Sequence, residues 1–491
     1  MSRQLGRGSG TQIAVVGNGL IGLAIATQLR REEPSSTVTV IGPASRRGGA
    51  SAAAGAMLGC FGEVSDHTLA SEPARAKFDL ALEAHRRWPA LIDMLNDEPL
   101  DVPPVTQVKG TFVILNSRSG DLDSVNFRAL ERALVEYGEP FERVDDVPGL
   151  DPVPDGRPLA VIHLPGEGAV DSRAVLARFD GMSRRLGIDF EDTSARRLHA
   201  SSDRITGVEL SDGRLLACDE VVVAAGAFSS PLLSSVLPPH AIQPVLAGSG
   251  FGFVAERVLG RGFPSVVRTV NRAGSCGLHV VPLGSAFEYF GASNIIFAAP
   301  EFRPHLGLWH FVTQCAMDQL DQMVCFSRVQ ETRFGNRPVP FDTFPLLGPT
   351  TLDGLHVVTG TYRDGFHSAP LLAEMTARSL LDGVSAFPAV FDPMRAPLTT
   401  LTVAESIDEF AGQMTGSAYE SSTSLSRFMH HTDLTELYRS KAERMYERLG
   451  SDHGLHPDIV NYLTLTHKDE ADIDAARDYL LAVTPQPVGP R

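Results

Sequence analysis

The sequence GNGLIG occupies residues 17–22 and follows the pattern G-x-G-x-x-G. An apolar, β-branched run precedes it at residues 11–16, a helical pattern follows over residues 19–31, and a second apolar run fills residues 37–41. This order predicts a strand, a helix and a parallel strand, with the glycines at the first turn. Such a turn suits the pyrophosphate of a dinucleotide, because the free N–H groups that begin the helix attract an anion.

Each glycine of the motif has its own predicted role. Gly17 permits the tight turn, Gly19 lets the backbone approach a pyrophosphate, and Gly22 lets the helix pack closely on the strand. An acidic residue that would hold the ribose is missing at the end of the second strand, where Gly42 and Pro43 stand. A glycine turn in an α/β protein that binds no nucleotide therefore remains the alternative.

Helical and strand patterns alternate along the chain after the glycine motif, and the pattern changes to short strands near residue 243. Residues 220–224 and 355–359 read as further buried parallel strands, and residues 211–213 as a hairpin turn. Short alternating runs over residues 243–329 predict an antiparallel sheet in a second domain. Further strands are expected at residues 107–115 and 160–164. Helices are expected at residues 78–95, 127–137, 171–186, 370–381, 434–449 and 469–483.

Composition excludes several classes of protein. The 491 residues carry a formal net charge of -16, which argues against nucleic-acid binding. The five cysteines contain no C-x-x-C pair, so neither zinc nor any other metal is predicted. Residues 1–10 are expected to be disordered, and no apolar run reaches the roughly 18 residues of a membrane span. A soluble, cytoplasmic protein without a membrane partner is expected.

Four segments together resemble the D-amino-acid-oxidase superfamily of flavoproteins, and within it the glycine oxidases most closely. Besides the glycine motif, they are SAAAGAMLG at residues 51–59, which has one extra residue, and EVVVAAG at residues 220–226. The last segment combines GNRP at residues 335–338 with GTYRDG at residues 360–365. Their order and spacing match over residues 11–395.

The resemblance implies a mixed α/β fold in which the flavin lies between two domains. A discontinuous Rossmann-type FAD-binding domain would comprise residues 11–95, 150–240 and 335–396. An antiparallel-sheet substrate domain would comprise residues 96–149 and 241–334. Residues 397–491 lie outside the resemblance and are predicted to form a helical C-terminal extension. It packs on the FAD domain, covers the active site or forms a dimer interface, so a homo-oligomer stays open.

The resemblance also implies the residues that bind FAD. Small side chains at residues 51–55 would let the backbone pass close to the flat flavin ring. No cysteine lies between residues 330 and 342, and Cys325 is misplaced for a covalent bond, so FAD is expected to be non-covalent. The expected cofactor-binding residues are Gly17, Gly19, Leu20, Ile21, Gly22, Gly42, Pro43, Ala50, Ser51, Ala54, Gly55, Ala56, Met57, Ala195, Gly226, Tyr362, Arg363, Asp364, Gly365 and Phe366.

Two arginines are the expected substrate-binding residues. Arg337 lies in the Arg-Pro motif with which the family's oxidases hold a substrate carboxylate, and Arg363 lies where the glycine oxidases add a second arginine. A guanidinium matches a carboxylate with two parallel hydrogen bonds, so the pair favours an amino acid over a plain amine. A structural salt bridge is the alternative at either position.

His279 and Asn294 fall where the glycine oxidases have a Tyr and a Met near the substrate. Both replacements are short and polar, which indicates a pocket that hydrogen-bonds a polar substrate side chain, and a substrate other than glycine. His279 is also a candidate base, although the family's chemistry relies mainly on positioning. A structural histidine is the alternative.

These residues lead to one functional prediction and three rivals. The prediction is an FAD-dependent oxidase that transfers hydride from the α-carbon of a small, polar or N-substituted amino acid, with molecular oxygen as acceptor and an imine and hydrogen peroxide as products. The rivals are a dehydrogenase with another acceptor, a catalytically silent flavin-binding subunit, and a nicotinamide enzyme.

Overall fold

The glycine motif lies at the centre of a parallel sheet. The computed structural model describes residues 10–271, 277–466 and 470–483; the predicted disorder of residues 1–10 falls, apart from Gly10, outside them. Strand Gln12–Val16 leads through the motif into helix Leu20–Glu32 and then into strand Thr37–Ile41. The two strands pair in parallel, which confirms the predicted β-α-β unit.

This first sheet has six strands. Five are parallel, and the strand at one edge runs antiparallel to its neighbour. In spatial order they are Leu346–Pro349, Leu355–Thr359, Glu220–Val223, Gln12–Val16, Thr37–Ile41 and Asp189–Glu191. The central strands are apolar because both faces of the sheet are buried. Helices Leu20–Glu32 and Gly365–Asp382 pack on one face, and strands Ala195–Ser201 and Arg204–Leu210 with helix Ser229–Leu233 pack on the other.

Close packing explains two of the glycines. Gly17 has φ +118°, and a Cβ atom there would lie 2.3 Å from the carbonyl oxygen of Ala224 on the neighbouring chain segment. A Cβ atom at Gly22 would lie 1.8 Å from the carbonyl oxygen of Gly17. Neither position admits a side chain, so the glycines permit the turn and the helix contact that the sequence predicted.

The second sheet is larger and mixed. It is antiparallel except where Val266–Thr269 pairs with Val108–Asn116 and where Arg328–Pro340 pairs with Gly48–Gly49. Its main path is Gly48–Gly49, Arg328–Pro340, Val245–Glu256, Phe287–Gly291, His279–Pro282, Val266–Thr269, Val108–Asn116, Pro158–Ala169 and Met57–Leu58. Strand Ile295–Phe297 pairs with Val245–Glu256, and strand Glu142–Arg143 pairs with Pro158–Ala169.

The division of the chain into domains stays a prediction. Strand Pro158–Ala169, in the range 150–240 that the sequence assigned to FAD binding, hydrogen-bonds within the second sheet. The hairpin predicted around residues 211–213 forms with Arg204–Leu210 and Leu215–Ala217, to which Ala195–Ser201 adds a third strand.

Several helices begin earlier than predicted: those expected from residues 78, 127, 370 and 434 begin at Glu72, Asp121, Gly365 and His431. The pattern over residues 78–95 is two helices, Glu72–His85 and Trp88–Asp97, because Pro89 lacks an N–H and fits only the first turn of a new helix. Helix Gly365–Asp382 begins five residues before Pro370, which lies inside it. The remaining helices before the extension are Ala50–Ala53, Asp121–Tyr137, Ser172–Arg185, Ser229–Leu233 and Leu306–Gln319.

The C-terminal extension folds into helices. They are Val403–Glu420, His431–Leu449, Pro457–Asn461 and Glu470–Val483, with a π-helical turn at Tyr462–Thr466. Phe410 and Leu449 from these helices share one apolar core with Val339 of the second sheet and with Phe341 and Tyr362. Among the described residues, no helix is long and apolar enough to cross a membrane.

Candidate functional site

A cavity of about 640 Å³ lies where the strands of the first sheet end and the second sheet begins. We call it the large cavity. Ligands of open parallel sheets bind at the carboxyl ends of the strands, and this cavity lies there. Most of the predicted cofactor-binding residues line it: Gly17, Gly19, Ile21, Gly42, Pro43, Ala50, Ser51, Ala54, Gly55, Ala56, Met57, Ala195, Gly226, Tyr362, Arg363, Asp364, Gly365 and Phe366.

Leu20 and Gly22 were also predicted to bind the cofactor but do not line the large cavity. Leu20 is fully buried in the core, and its backbone N–H donates to Ser51 Oγ at 3.0 Å. Ser51 thereby caps the helix that begins at Leu20 and ties the segment of residues 50–57 to the glycine motif.

Sequence reasoning missed two arginines in the same wall. Arg46 and Arg47 follow the second strand and line the large cavity next to Gly42. Arg46 Nε donates to the carbonyl oxygen of Asn18 at 2.8 Å, and its guanidinium pairs with Asp180 at 2.5 Å. The signal in the sequence was this Arg-Arg pair, directly after the position where the ribose-binding acid is missing.

The side chain of Asn18 occupies the space that a larger residue at position 42 would need. A Cβ atom at Gly42 would lie 2.7 Å from Asn18 Oδ1. Asn18 Nδ2 donates to the carbonyl oxygens of Gly42 at 3.0 Å and of Pro43 at 2.9 Å. The absence of an acid at position 42 therefore follows from local packing.

Arg337 projects into the large cavity from strand Arg328–Pro340. Its Nη1 donates to the carbonyl oxygen of Ser293 at 3.1 Å and to Asn294 Oδ1 at 3.5 Å. A Cβ atom at Gly250 would lie 2.4 Å from this Nη1, so the guanidinium lies directly over the glycine backbone. In the described part of the chain no carboxylate pairs with Arg337, which leaves its charge for a ligand.

Arg363 lines the same cavity but has an acidic partner. Its Nη2 lies 3.2 Å from Asp458 Oδ2, and its Nη1 donates to Asn271 Oδ1. Tyr362 donates its hydroxyl proton to the same oxygen of Asp458 at 2.5 Å. Asp458 belongs to the C-terminal extension, 95 residues further along the chain, and no local pattern pointed to it.

His279 lines the large cavity as a neutral side chain. Its Nδ1 lies 2.9 Å from the carbonyl oxygen of Gly277, which places the proton on Nδ1 and the lone pair on Nε2. Burial lowers its pKa to about 4. Nε2 is buried and has no hydrogen-bond partner among the described residues, and a Cβ atom at Gly55 would lie 2.7 Å from it. The arrangement offers one hydrogen-bond acceptor.

Asn294 lies behind the large cavity and does not line it. It is buried, its Nδ2 donates to the hydroxyl of Tyr362, and its Oδ1 accepts from Arg337. The structure therefore connects Asn294 directly to Arg337 and, through the Tyr362 hydroxyl, to Arg363, so that it orients Arg337 and Tyr362.

Glu63 is a further charged residue that sequence reasoning missed. It lines the large cavity and also a second cavity of about 190 Å³, which we call the small cavity. Burial opposes its ionisation, but Arg268, which contacts it at 2.5 Å, and Arg363 outweigh burial and lower its pKa. Tyr362, Arg363 and Asp364 also line both cavities, and the extension forms one wall of the small cavity.

A helix also points its N-terminus at the large cavity. Helix Gly365–Asp382 begins there, and Gly365, Phe366 and His367 of its first turn are lining residues. Its unpaired N–H groups and positive dipole end favour negative charge on a bound ligand. Tyr362, just before it, has φ +49° and is held by the contacts of its hydroxyl.

The family of FAD dependent oxidoreductases matches residues 12–379 of this sequence. The chain belongs to this family. FAD is therefore its cofactor, and the large cavity fits it in three respects. The volume is that of a cofactor site, two helix N-termini face it, and backbone without bulky side chains lines it at residues 50–56. The predicted mixed fold is confirmed.

Among curated proteins, the bifunctional protein ThiO/ThiG of Synechocystis sp. is 24% identical over 412 residues, covering 79% of this chain and 55% of its own. A D-amino acid dehydrogenase of Methylobacterium radiotolerans is 33% identical over 144 residues, covering 28% of this chain and 33% of its own. The chain thus spans about half the length of these relatives or less.

Two solved structures show the same fold. Glycine oxidase from Geobacillus kaustophilus has a TM-score of 0.66 at 21% identity, covering 79% of this chain and 99% of its own. Iminodiacetate oxidase from Chelativorans sp. has a TM-score of 0.63 at 21% identity, covering 78% and 98%. The family match ends before the C-terminal extension.

Proposed function

We propose that this protein is an oxidase of a small amino acid or N-substituted amino acid. It would convert the C–N bond of the substrate to an imine and pass two electrons, through FAD, to molecular oxygen, which becomes hydrogen peroxide. The observation that carries the proposal is Arg337, whose guanidinium faces the large cavity without a carboxylate partner in the described chain. The names of the similar proteins, among them glycine oxidase and D-amino acid dehydrogenase, agree with this substrate class.

The residues of the chain would position the substrate for the reaction. Arg337 would bind the carboxylate with two charge-assisted hydrogen bonds, and Ser293 and Asn294 would hold its guanidinium in place. Bound FAD would supply the electron acceptor for the C–N bond. His279 Nε2 would accept a hydrogen bond from the substrate's nitrogen or polar side chain. Fixed orientation would contribute most of the rate, as in other reactions that need no strong base.

We propose a smaller role in substrate binding for Arg363 than for Arg337. Because Asp458 pairs with Arg363, a substrate carboxylate near it meets a guanidinium whose charge is already balanced. We therefore assign the α-carboxylate to Arg337, with Arg363 as a wall of the site. A homo-oligomer and a cytoplasmic location remain predictions.

The test is anaerobic reduction of the purified yellow protein. A panel of D-, L- and N-methyl amino acids is mixed with it, and loss of the flavin absorption band is followed. We expect amino acids to bleach the flavin and carboxylate-free amines not to. Bleaching by amines alone would contradict the assignment of Arg337, and bleaching by no amine would favour the silent subunit.

Admission of air then separates oxidase from dehydrogenase. Rapid return of the yellow colour with one hydrogen peroxide per imine supports the oxidase. Slow return, together with fast turnover on an added quinone, would instead support a dehydrogenase, the activity named for several of the similar curated proteins.

A further inference from the structure

The C-terminal extension brings Asp458, which lines the small cavity, into contact with two residues that line the large cavity, Tyr362 and Arg363. Asp458 lies on the short helix Pro457–Asn461, and its side chain is 4% exposed. Its Oδ2 accepts from the Tyr362 hydroxyl at 2.5 Å and contacts Arg363 Nη2 at 3.2 Å. The family match ends at residue 379, so this contact comes from outside the family's shared segment.

Arg363 is the cation that balances Asp458. A buried carboxylate is costly unless it is paired. The nearest histidine, His456, has its Nδ1 3.6 Å from the same oxygen, but that nitrogen accepts the backbone N–H of Asp458 at 3.1 Å and so carries no proton. Arg363 is therefore the residue that neutralises the negative charge of Asp458.

The two arginines consequently offer different charges to a ligand. Arg337 has no carboxylate partner among the described residues, while Arg363 and Asp458 together are close to neutral. Two carboxylates line both cavities, and each has its own cation: Glu63 pairs with Arg268 at 2.5 Å, and Asp364 pairs with Lys77 at 3.2 Å. A ligand with one carboxylate can pair with Arg337. A second carboxylate, reaching toward Arg363, would meet the negative oxygens of Asp458.

We propose that Asp458 is a specificity-determining residue: it neutralises Arg363 and so restricts the site to amino acids with a single carboxylate. This rests on the proposed function, since it assigns the substrate's carboxylate to Arg337. It deepens that function by excluding acidic amino acids and iminodicarboxylates. The extension thereby has a role in substrate selection, in addition to packing.

The test compares ligand binding to the oxidised holoenzyme and its Asp458→Asn variant. The ligands are acetate and propionate, with one carboxylate, and malonate and succinate, with two. None carries an amine, so binding is read from the perturbed flavin absorption spectrum without turnover. Asn keeps the shape and an acceptor for Tyr362 but removes the charge. We expect Kd for the dicarboxylates to fall at least tenfold in Asp458→Asn, and Kd for the monocarboxylates to change less than threefold.

Glu409→Gln is the matched control. Glu409 is also an extension carboxylate at the wall of the small cavity, but it pairs with His67 at 2.8 Å and not with either arginine. Its variant should leave all four Kd values unchanged. The wild type provides a test that needs no variant: it should bind malonate and succinate no more tightly than acetate.

Three results would overturn the proposal. Equal tightening of mono- and dicarboxylates in Asp458→Asn would mean that a single carboxylate displaces Asp458 from Arg363. Unchanged Kd values in Asp458→Asn would mean that Asp458 does not influence substrate selection. Tighter binding of malonate and succinate than of acetate by the wild type would contradict the proposal directly. Failure of the proposed function looks different, because the wild type would then be reduced by no amino acid while these Kd values could still be measured.

Discussion

Arg337 and Arg363 line the same cavity, but they stand in different surroundings. Arg337 lies on a strand of the second sheet, over the backbone of Gly250, and donates to neutral oxygens. Arg363 lies in a loop before a helix and pairs with Asp458 of the extension. The same side chain therefore serves as a ligand-binding charge in one place and as half of an internal ion pair in the other. Two arginines in a sequence motif do not count as two carboxylate sites.

The largest expected effect comes from breaking the ion pair. Arg363→Ala leaves Asp458 buried without its cation, which should lower the free energy of unfolding by about 4 kcal/mol. Urea unfolding of the FAD-saturated protein measures this. Adding Asp458→Asn to Arg363→Ala should restore at least half of the loss, because no charge is then left unpaired. A double variant as unstable as the single one would show that Arg363 stabilises the protein by other contacts.

Removing the unpaired arginine should affect substrate more than stability. Arg337→Ala is expected to lower kcat/KM for an amino acid about 100-fold, because charge-assisted hydrogen bonds to the carboxylate are lost. FAD content and unfolding free energy should stay near those of the wild type. Retained kcat/KM would contradict the assignment.

Gly250→Ala tests the same contact without removing the charge. The new methyl group would collide with the Arg337 guanidinium, so kcat/KM should fall about tenfold through a higher KM. Phe253→Leu is the control: its side chain leaves the same strand on the face opposite Gly250, so it should weaken the core without raising KM.

A further prediction concerns the pH dependence of stability. Burial lowers the pKa of His279 to about 4, from an ordinary value of 6.5, so the unfolded chain takes up a proton before the folded one does. His279 therefore contributes full stability above pH 6.5, and that contribution is lost as pH falls toward 4. Between pH 7 and pH 4.5 the loss should be about 2 kcal/mol, measured by urea unfolding at both pH values.

The matched variant for this prediction is His279→Gln, which has no titrating group. Between pH 7 and pH 4.5, the free energy of unfolding of this variant should fall by about 2 kcal/mol less than that of the wild type. Identical pH slopes in the two proteins would show that His279 is accessible to water and not held neutral as the structure indicates.

The outline of the fold was predictable because its signals are local. The glycine motif, the two strands and the helix between them depend on neighbours within a few residues, and the structure confirms them. The sequence did not predict the break before Trp88, and it placed the start of helix Gly365–Asp382 five residues too late. There, a capping turn or a tertiary contact sets the boundary; Trp88 Nε1, for example, donates to the carbonyl oxygen of His367 at 2.7 Å.

The candidate site divides in the same way. Small residues fill the glycine motif and residues 50–56, and close packing leaves no room for a side chain at Gly17, Gly22 or Gly55. The sequence by itself therefore predicted where a dinucleotide would bind. Arg337 could also be named from its motif. Only the tertiary structure decided that Asp458 balances the charge of Arg363, while no carboxylate in the described part of the chain pairs with Arg337. Arg363 and Asp458 are 95 positions apart, and their ion pair depends on how the extension packs. Such a contact cannot be predicted from the spacing of residues in the sequence.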